Sequence, residues 1–279
     1  LGPNRTHTPQ LIRASKMPNL KRIYVEKPLG ISLQDIHDLE TLNEQSHKKF
    51  IMVGFQYLQK SALREALAHW GSGVFGEPVH FRTEYLHSSY LNVDYRMKHP
   101  ERLQPIPVNG AAVDLGSHAL SLLTVFLGDK LVVKTAAASG NFENVPENSD
   151  LCITVLIEEP VSGAIGTMVA SRVTPGTGDH LTLELHGKLG SLLFSTDQPD
   201  SYRTYLPKEG WKTHKVNSDY LPASKFPSDY VPSGWLRALV HNHYLFLGGE
   251  QGISMLPDLT HGIKVQRLLQ QIAEFILTG

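Results

Sequence analysis

The chain has one cysteine, Cys152, among 279 residues, so no internal disulfide can form, which fits a reducing, cytoplasmic compartment. Cys152 lies in the apolar run Leu151-Cys152-Ile153-Thr154-Val155-Leu156-Ile157 and reads as a buried strand cysteine rather than a nucleophile. No apolar stretch approaches the roughly 20 residues of a membrane span, and no signal-peptide pattern opens the chain. There is no excess of one charge: 26 Lys and Arg face 27 Asp and Glu, without the basic footprint of a nucleic-acid or membrane-surface binder. Repeats and low-complexity segments are also missing.

What remains is an ordinary globular composition, 41% hydrophobic and 19% charged, long enough to bury a full core. Thr8-Pro9 reads as a helix cap with Pro in the first turn, followed by a short helix through Leu11, Ile12 and Ala14. Lys21–Glu26 reads as a strand ended by Pro28 and Gly30. Ser32 caps a second helix with Leu33, Ile36, Leu39 and Leu42 at helical spacing, and Phe50–Phe55 reads as a buried strand. Helix, strand, helix, strand is the order of an α/β unit with a parallel sheet.

Beyond Tyr57 the pattern changes. A helix is expected over Ala62–Trp70, a strand over Val79–Leu86, an irregular stretch over 87–109 and an apolar helix from about Val113 to Leu127. Short strands follow at Leu131–Ala137, Leu151–Ile157, Ala164–Ser171, Leu181–His186, Ser191–Phe194 and Tyr202–Tyr205, then helices over Gly234–Leu247 and Asp258–Leu277. The expected fold is therefore α/β plus α+β: residues 1–57 as the C-terminal remnant of a doubly wound (Rossmann) domain, and residues 58–279 as an α+β domain with an open, largely antiparallel sheet.

Gly71-Ser72-Gly73-Val74-Phe75-Gly76 matches the G-x-G-x-x-G fingerprint, with Asp94 near the usual distance beyond it. The fingerprint needs a strand before it and a helix after it, so that the pyrophosphate meets a helix N-terminus. Here the expected order is reversed, and the stretch reads as a helix-ending turn.

Two places carry chemistry. Glu26-Lys27-Pro28 follows a strand, at the end of an α/β sheet where ligands bind, although taken alone such a lysine is more readily a surface residue. Asp114 and His118 are four apart on an apolar helix. A carboxylate and an imidazole there either satisfy each other or face a cavity holding a substrate hydroxyl, and the two readings weigh about equally. A Ser117-His118-Asp114 hydrolase triad is disfavoured by helix geometry, and no metal-ligand spacing is evident.

Three stretches together resemble the family of glucose–fructose oxidoreductases and inositol dehydrogenases. Gly2-Pro3-Asn4-Arg5-Thr6-His7 is similar to its T-P-N-x-x-H loop, Val25-Glu26-Lys27-Pro28-Leu29 to its E-K-P motif, and Asp114-Leu115-Gly116-Ser117-His118 to its D-x-G-x-H helix. The resemblance implies NAD or NADP as cofactor, a sugar, inositol or related polyol as substrate, and a homodimer or homotetramer. It implies Lys27, Asp114 and His118 as the catalytic trio, and Pro3, Asn4, His7, Glu26, Lys27 and Gln56 as cofactor contacts. In the implied reaction His118 is the base for a secondary alcohol, Asp114 orients the imidazole or holds a neighbouring hydroxyl, and Lys27 polarises the reacting oxygen. Members carry roughly two further βα units, with the glycine-rich turn, ahead of the T-P-N loop, so the resemblance implies a longer protein of which this chain holds the later part. The sequence departs from the pattern at Asn109-Gly110-Ala111-Ala112, where glycines are usual, at Leu58, where an Arg is common, and at Ser121, where an acidic residue is frequent. The altered Asn109–Ala112 stretch and the front units not seen here leave room for a non-catalytic ligand-binding regulator of the same fold, and the resemblance also allows a glycosidase that uses NAD transiently, as some members do.

Overall fold

The computed structural model describes residues 2–45, 49–216, 220–222, 233–248 and 257–278. The front of the chain is a small parallel unit. Strand β1 (Arg22–Val25) lies beside strand β2 (Phe50–Val53), with Ile23 opposite Ile51 and Val25 opposite Val53. Parallel neighbours cannot be joined by a hairpin, and the crossover carries helix α2 (Leu33–Gln45). Helix α1 (His7–Ser15) precedes β1, and its Leu11 is buried with Leu39 and Leu42 of α2.

Helix α1 starts two residues earlier than the Thr8 cap reading expects, on a 3-10 turn over Asn4–Thr6. The Thr8 hydroxyl donates instead to the carbonyl of Leu29 at 2.7 Å, tying α1 to the loop after β1. Pro9 falls in the first turn, where its missing N–H loses no helical bond. Ser32 does cap α2: its Oγ accepts from the Asp35 N–H at 3.1 Å and donates to the Asp35 carboxylate at 2.8 Å.

Helix α3 (Ser61–Gly71) follows, then β3 (Pro78–Leu86). Between them Gly73 and Gly76 both have positive φ, so Gly71–Gly76 is a helix-ending turn with the helix before it and the strand after. The stretch 87–109 is less irregular than expected. It holds 3-10 turns at Ser89–Leu91 and Pro100–Leu103 and the short helix α4 (Val93–Lys98), capped by Asn92 and packed around Tyr90, Leu103 and Leu151. Elements this short show no helical period in sequence.

Strands β4 (Val132–Ser139), β5 (Cys152–Glu159), β6 (Ala164–Ser171), β7 (His180–Gly187), β8 (Ser191–Ser195), β9 (Ser201–Leu206) and β10 (Gly210–Lys215) join β3 in one sheet, ordered β10-β9-β8-β7-β3-β6-β5-β4. Only β3 and β6 run parallel; every other pairing is antiparallel. The open, largely antiparallel sheet expected from the strand pattern is thus present. Strand β10 is an addition: Gly-Trp-Lys-Thr-His-Lys is an exposed edge strand without apolar alternation. Cys152 lies at the start of β5 but is only half-buried, so it is less enclosed than its apolar run suggests.

One face of the sheet forms the core, with Phe81, Tyr85, Ile153, Val155, Met168, Leu183 and Leu185 buried against α3, α5 (Ser117–Leu127) and α7 (Leu259–Thr278). The other face leaves Val132, Ile165, Tyr205 and Trp211 exposed between ion pairs such as Arg82–Glu184 and Lys134–Glu158. The last two helices return to the front unit. Helix α7 packs on α2 and β2, and His243 of α6 (Trp235–Phe246) stacks on Tyr24 of β1 at 4.5 Å. No helix among the described residues is long and apolar enough to cross a membrane.

The polypeptide enters α5 through a tight corner. Gly110 has φ +93°, and a Cβ there would lie 1.7 Å from Oδ1 of Asp150. That carboxylate accepts from the N–H groups of Ile106 (3.1 Å) and Ala112 (3.0 Å), and the Asp150 carbonyl accepts from Ala111 at 2.7 Å. Burial pushes the Asp150 carboxyl up to about 6 against these hydrogen bonds and the charge of Arg172. Gly110→Ala meets both the positive φ and the carboxylate. It should cost roughly 2–4 kcal/mol in urea unfolding, and a change below about 0.5 kcal/mol would refute this account of the corner.

Candidate active site

Lys27 follows the end of β1, half-buried on a loop held from behind by His7. Nδ1 of the buried His7 ring lies 2.7 Å from the Pro28 carbonyl and Nε2 lies 3.0 Å from that of Gly2. The two ring nitrogens thus face carbonyls of the two motif loops, and His7 joins the loops to each other while lining the same cavity as Glu26. Asn4 donates to the Val108 carbonyl at 2.8 Å and fastens the first loop to the segment just before Gly110. Glu26 packs against Gly54 after β2, where any Cβ would meet its carboxylate at 2.5 Å. Gln56 opens a 3-10 turn over Gln56–Gln59.

Asp114 does not sit in a regular helix. Ala112–Gly116 form a π-turn, a widened turn common at functional sites, and α5 starts only after it. The four-residue spacing does not pair Asp114 with His118, because the carboxylate is taken by cations from other elements. Lys27 donates to the Asp114 carbonyl and, at 3.2 Å, to its Oδ1. Arg172, whose side chain is 1% exposed, donates to Oδ2 at 2.9 Å, and Arg102 stands 3.7 Å from the same oxygen. Burial opposes ionisation of Asp114, but Lys27, Arg172 and Arg102 outweigh it and hold the carboxyl far below the usual carboxylate range.

Both carboxylate oxygens are therefore committed to cations, and the expectation that Asp114 orients the imidazole is corrected: no hydrogen bond joins it to His118. The His118 ring is instead enclosed by aromatic edges, with Tyr57 at 4.9 Å, Tyr85 at 5.9 Å and Phe55 at 6.0 Å between centroids. Its Nδ1 is buried and has no partner among the described residues. Burial first, then the charge of Lys27, pushes the imidazole well below its ordinary range, with Asp114 acting the other way. At neutral pH it is an uncharged base beside a lysine ammonium.

Arg172 escaped the sequence reading. It follows the last residue of β6, 58 residues beyond Asp114, and nothing local marks it. It also donates to Asn109 Oδ1 (3.1 Å) and the Arg102 carbonyl (2.5 Å) and lies over the Tyr90 ring at 4.7 Å. Two departures noted in the sequence also find their setting. Leu58 is buried in the core, and the Ser121 hydroxyl lies 2.8 Å from Nε2 of His261, an imidazole that burial lowers to about 4. Among the described residues no cluster of three or more His, Cys, Asp or Glu is placed to hold a metal ion.

Residues 62–193 match the model of the GFO/IDH/MocA C-terminal domain. That segment, a little under half of the chain, is therefore similar to the C-terminal domain of the GFO/IDH/MocA proteins. The chain is 22% identical to levoglucosan dehydrogenase of Pseudarthrobacter phenanthrenivorans over 98% of this chain and 75% of that protein. It is 25% identical to scyllo-inositol 2-dehydrogenase (NAD(+)) of Bacillus subtilis over 70% of this chain and 53% of that enzyme. Its fold is shared with an inositol dehydrogenase homolog complexed with NAD+ from Azotobacter vinelandii, at TM-score 0.80 and 20% identity, over all of this chain and 75% of the other. The GFO/IDH/MocA match contains Asp114, His118 and Arg172, whereas Lys27 reaches this group from outside it.

The low proton affinity of His118 has a consequence for folding. As pH falls through about 6.5, the unfolded chain takes up a proton that the folded site refuses, so folded stability falls. His118→Gln removes this contribution. Between pH 7.5 and 5.5 the wild type should lose up to about 1.4 kcal/mol per pH unit more than the variant in urea unfolding. Equal slopes would contradict the assignment of a neutral buried imidazole.

Proposed function

We propose that the chain carries the catalytic and substrate-binding part of an NAD-dependent dehydrogenase that oxidises, reversibly, a secondary alcohol of a sugar, inositol or related polyol. The observation that carries this reading is the pairing of an ammonium, Lys27, with an uncharged buried imidazole, His118, whose Nδ1 has no partner among the described residues. A buried nitrogen left so costs about 1–3 kcal/mol, which a hydroxyl-bearing ligand would relieve. Supporting it are a sugar dehydrogenase and an NAD(+)-dependent inositol dehydrogenase among the similar proteins, and an NAD+ complex among the similar structures.

His118 takes the proton of the reacting hydroxyl, a role for which a neutral base at working pH is required. Lys27 polarises the same oxygen and stabilises the negative charge that builds on it as the proton leaves. Asp114 fixes Lys27 through two acceptors, and Arg172 fixes Asp114. NAD would supply the hydride acceptor when bound. Glu26 and Gln56 follow the carboxyl ends of parallel strands, the usual side for a nucleotide, and with Pro3 and Asn4 they would hold it. Glu26 also lines a cavity of about 230 Å³ between α1 and β1.

The division into a Rossmann remnant over 1–57 and a substrate domain over 58–279 belongs to this reading, supported by the parallel β1–β2 pair and its helical crossover. So does self-association as a homodimer or homotetramer, supported by the exposed Val132, Ile165, Tyr205 and Trp211 on the open sheet face.

Lys27→Met should lower turnover of a polyol with NAD by roughly 10²–10³-fold while the thermal melt stays cooperative. Turnover within about threefold of the wild type would overturn the role given to Lys27.

A further inference from the structure

His118 needs a defined ring orientation to act as a base, yet the groups expected to set it do not. Asp114 is committed to Lys27 and Arg172, and Nδ1 of the imidazole has no protein partner among the described residues. The ring meets instead the edges and faces of Tyr57 and Tyr85, at interplanar angles of 80° and 61°. These two tyrosines come from different places, Tyr57 from the 3-10 turn after β2 and Tyr85 from the end of β3. Each is buried, and their hydroxyls lie 2.7 Å apart.

Both hydroxyls converge on a third residue. Tyr57 donates to Oδ1 of Asp179 at 2.5 Å and Tyr85 to the same oxygen at 3.0 Å. Asp179 lies in the loop between β6 and β7, and its own carbonyl accepts from the Thr196 hydroxyl, so the loop is anchored. We propose that Asp179 is a positioning residue for His118, acting through the hydroxyls of Tyr57 and Tyr85. The proposal rests on the reading of His118 as the base. One acceptor oxygen fixes the hydroxyl end of each tyrosine, each fixed ring closes one side of the box, and the imidazole keeps a single orientation. Burial, above all, pushes both phenols far above their usual range, so both remain donors at working pH. An aromatic pair attracts beyond its buried area, enough to bias a ring's orientation when no hydrogen bond does.

The test uses Asp179→Ala, with Asp179→Asn as the conservative partner, because an amide oxygen can still accept from both phenols. Histidine-labelled protein is observed by NMR at pH 7.5 without added nucleotide, and turnover of a polyol with NAD is measured on the same samples. Asp179→Ala should shift the His118 ring signals and lower kcat about tenfold with KM for NAD unchanged, and Asp179→Asn should restore most of both. Unmoved His118 signals in a folded Asp179→Ala protein would overturn the proposal, as would an Asn variant as impaired as the Ala variant. If Asp179→Ala fails to fold, Tyr85→Phe removes one of the two donors, and the same shift or its absence decides. Full turnover in His118→Gln would overturn the base reading alone, and the ring signals would still decide whether Asp179 positions His118.

Discussion

The carboxylate of Asp114 carries Lys27 on one oxygen and Arg172 on the other, and the rest of the site is arranged around that bridge. Its members come from the loop after β1, the π-turn before α5 and the end of β6. A half-buried carboxylate is held here because cations meet it, and removing either partner would leave its charge poorly compensated. The bridge therefore fixes the position of the front parallel unit relative to the large sheet as well as the ammonium at the centre of the site. Asp150 supports it from behind by anchoring the corner at Gly110 and the start of the π-turn.

The same cluster determines how His118 behaves. Burial and the nearby ammonium both disfavour imidazolium, so the ring stays a neutral base, the state that proton abstraction from an alcohol requires. Such a base needs orientation, and aromatic edges provide it where hydrogen bonds do not. Charge is thus handled by Asp114 and geometry by Tyr57 and Tyr85, two tasks that a D-x-G-x-H motif read alone would assign to one residue.

How much of this was legible in sequence differs from element to element. The runs at Ile23–Val25 and Ile51–Val53 marked buried strands because stiff apolar residues between turn signals have few other uses. Most sheet strands were legible for the same reason, while β10, polar on both faces, was not. Lys27, Asp114 and His118 could be singled out because their motifs occur in the order and spacing of a known family. The π-turn could not be read, since Ala112-Val113-Asp114-Leu115-Gly116 is as compatible with a regular helix, and neither could Arg172 or Asp179. Both act through contacts 58 to 122 residues away along the chain, and such pairings are settled by the fold rather than by local pattern. Thr8 shows the converse: a good local cap was outbid by a buried carbonyl at Leu29.

The central claim is that Lys27 and Asp114 act as one coupled unit. A double-mutant cycle in urea unfolding with Lys27→Met, Asp114→Asn and the combined variant measures this directly. The account expects a coupling of at least about 1 kcal/mol, the double variant being less destabilised than the sum of the singles. Strictly additive losses would mean that the two residues are neighbours without being partners, and the site as described here would not stand.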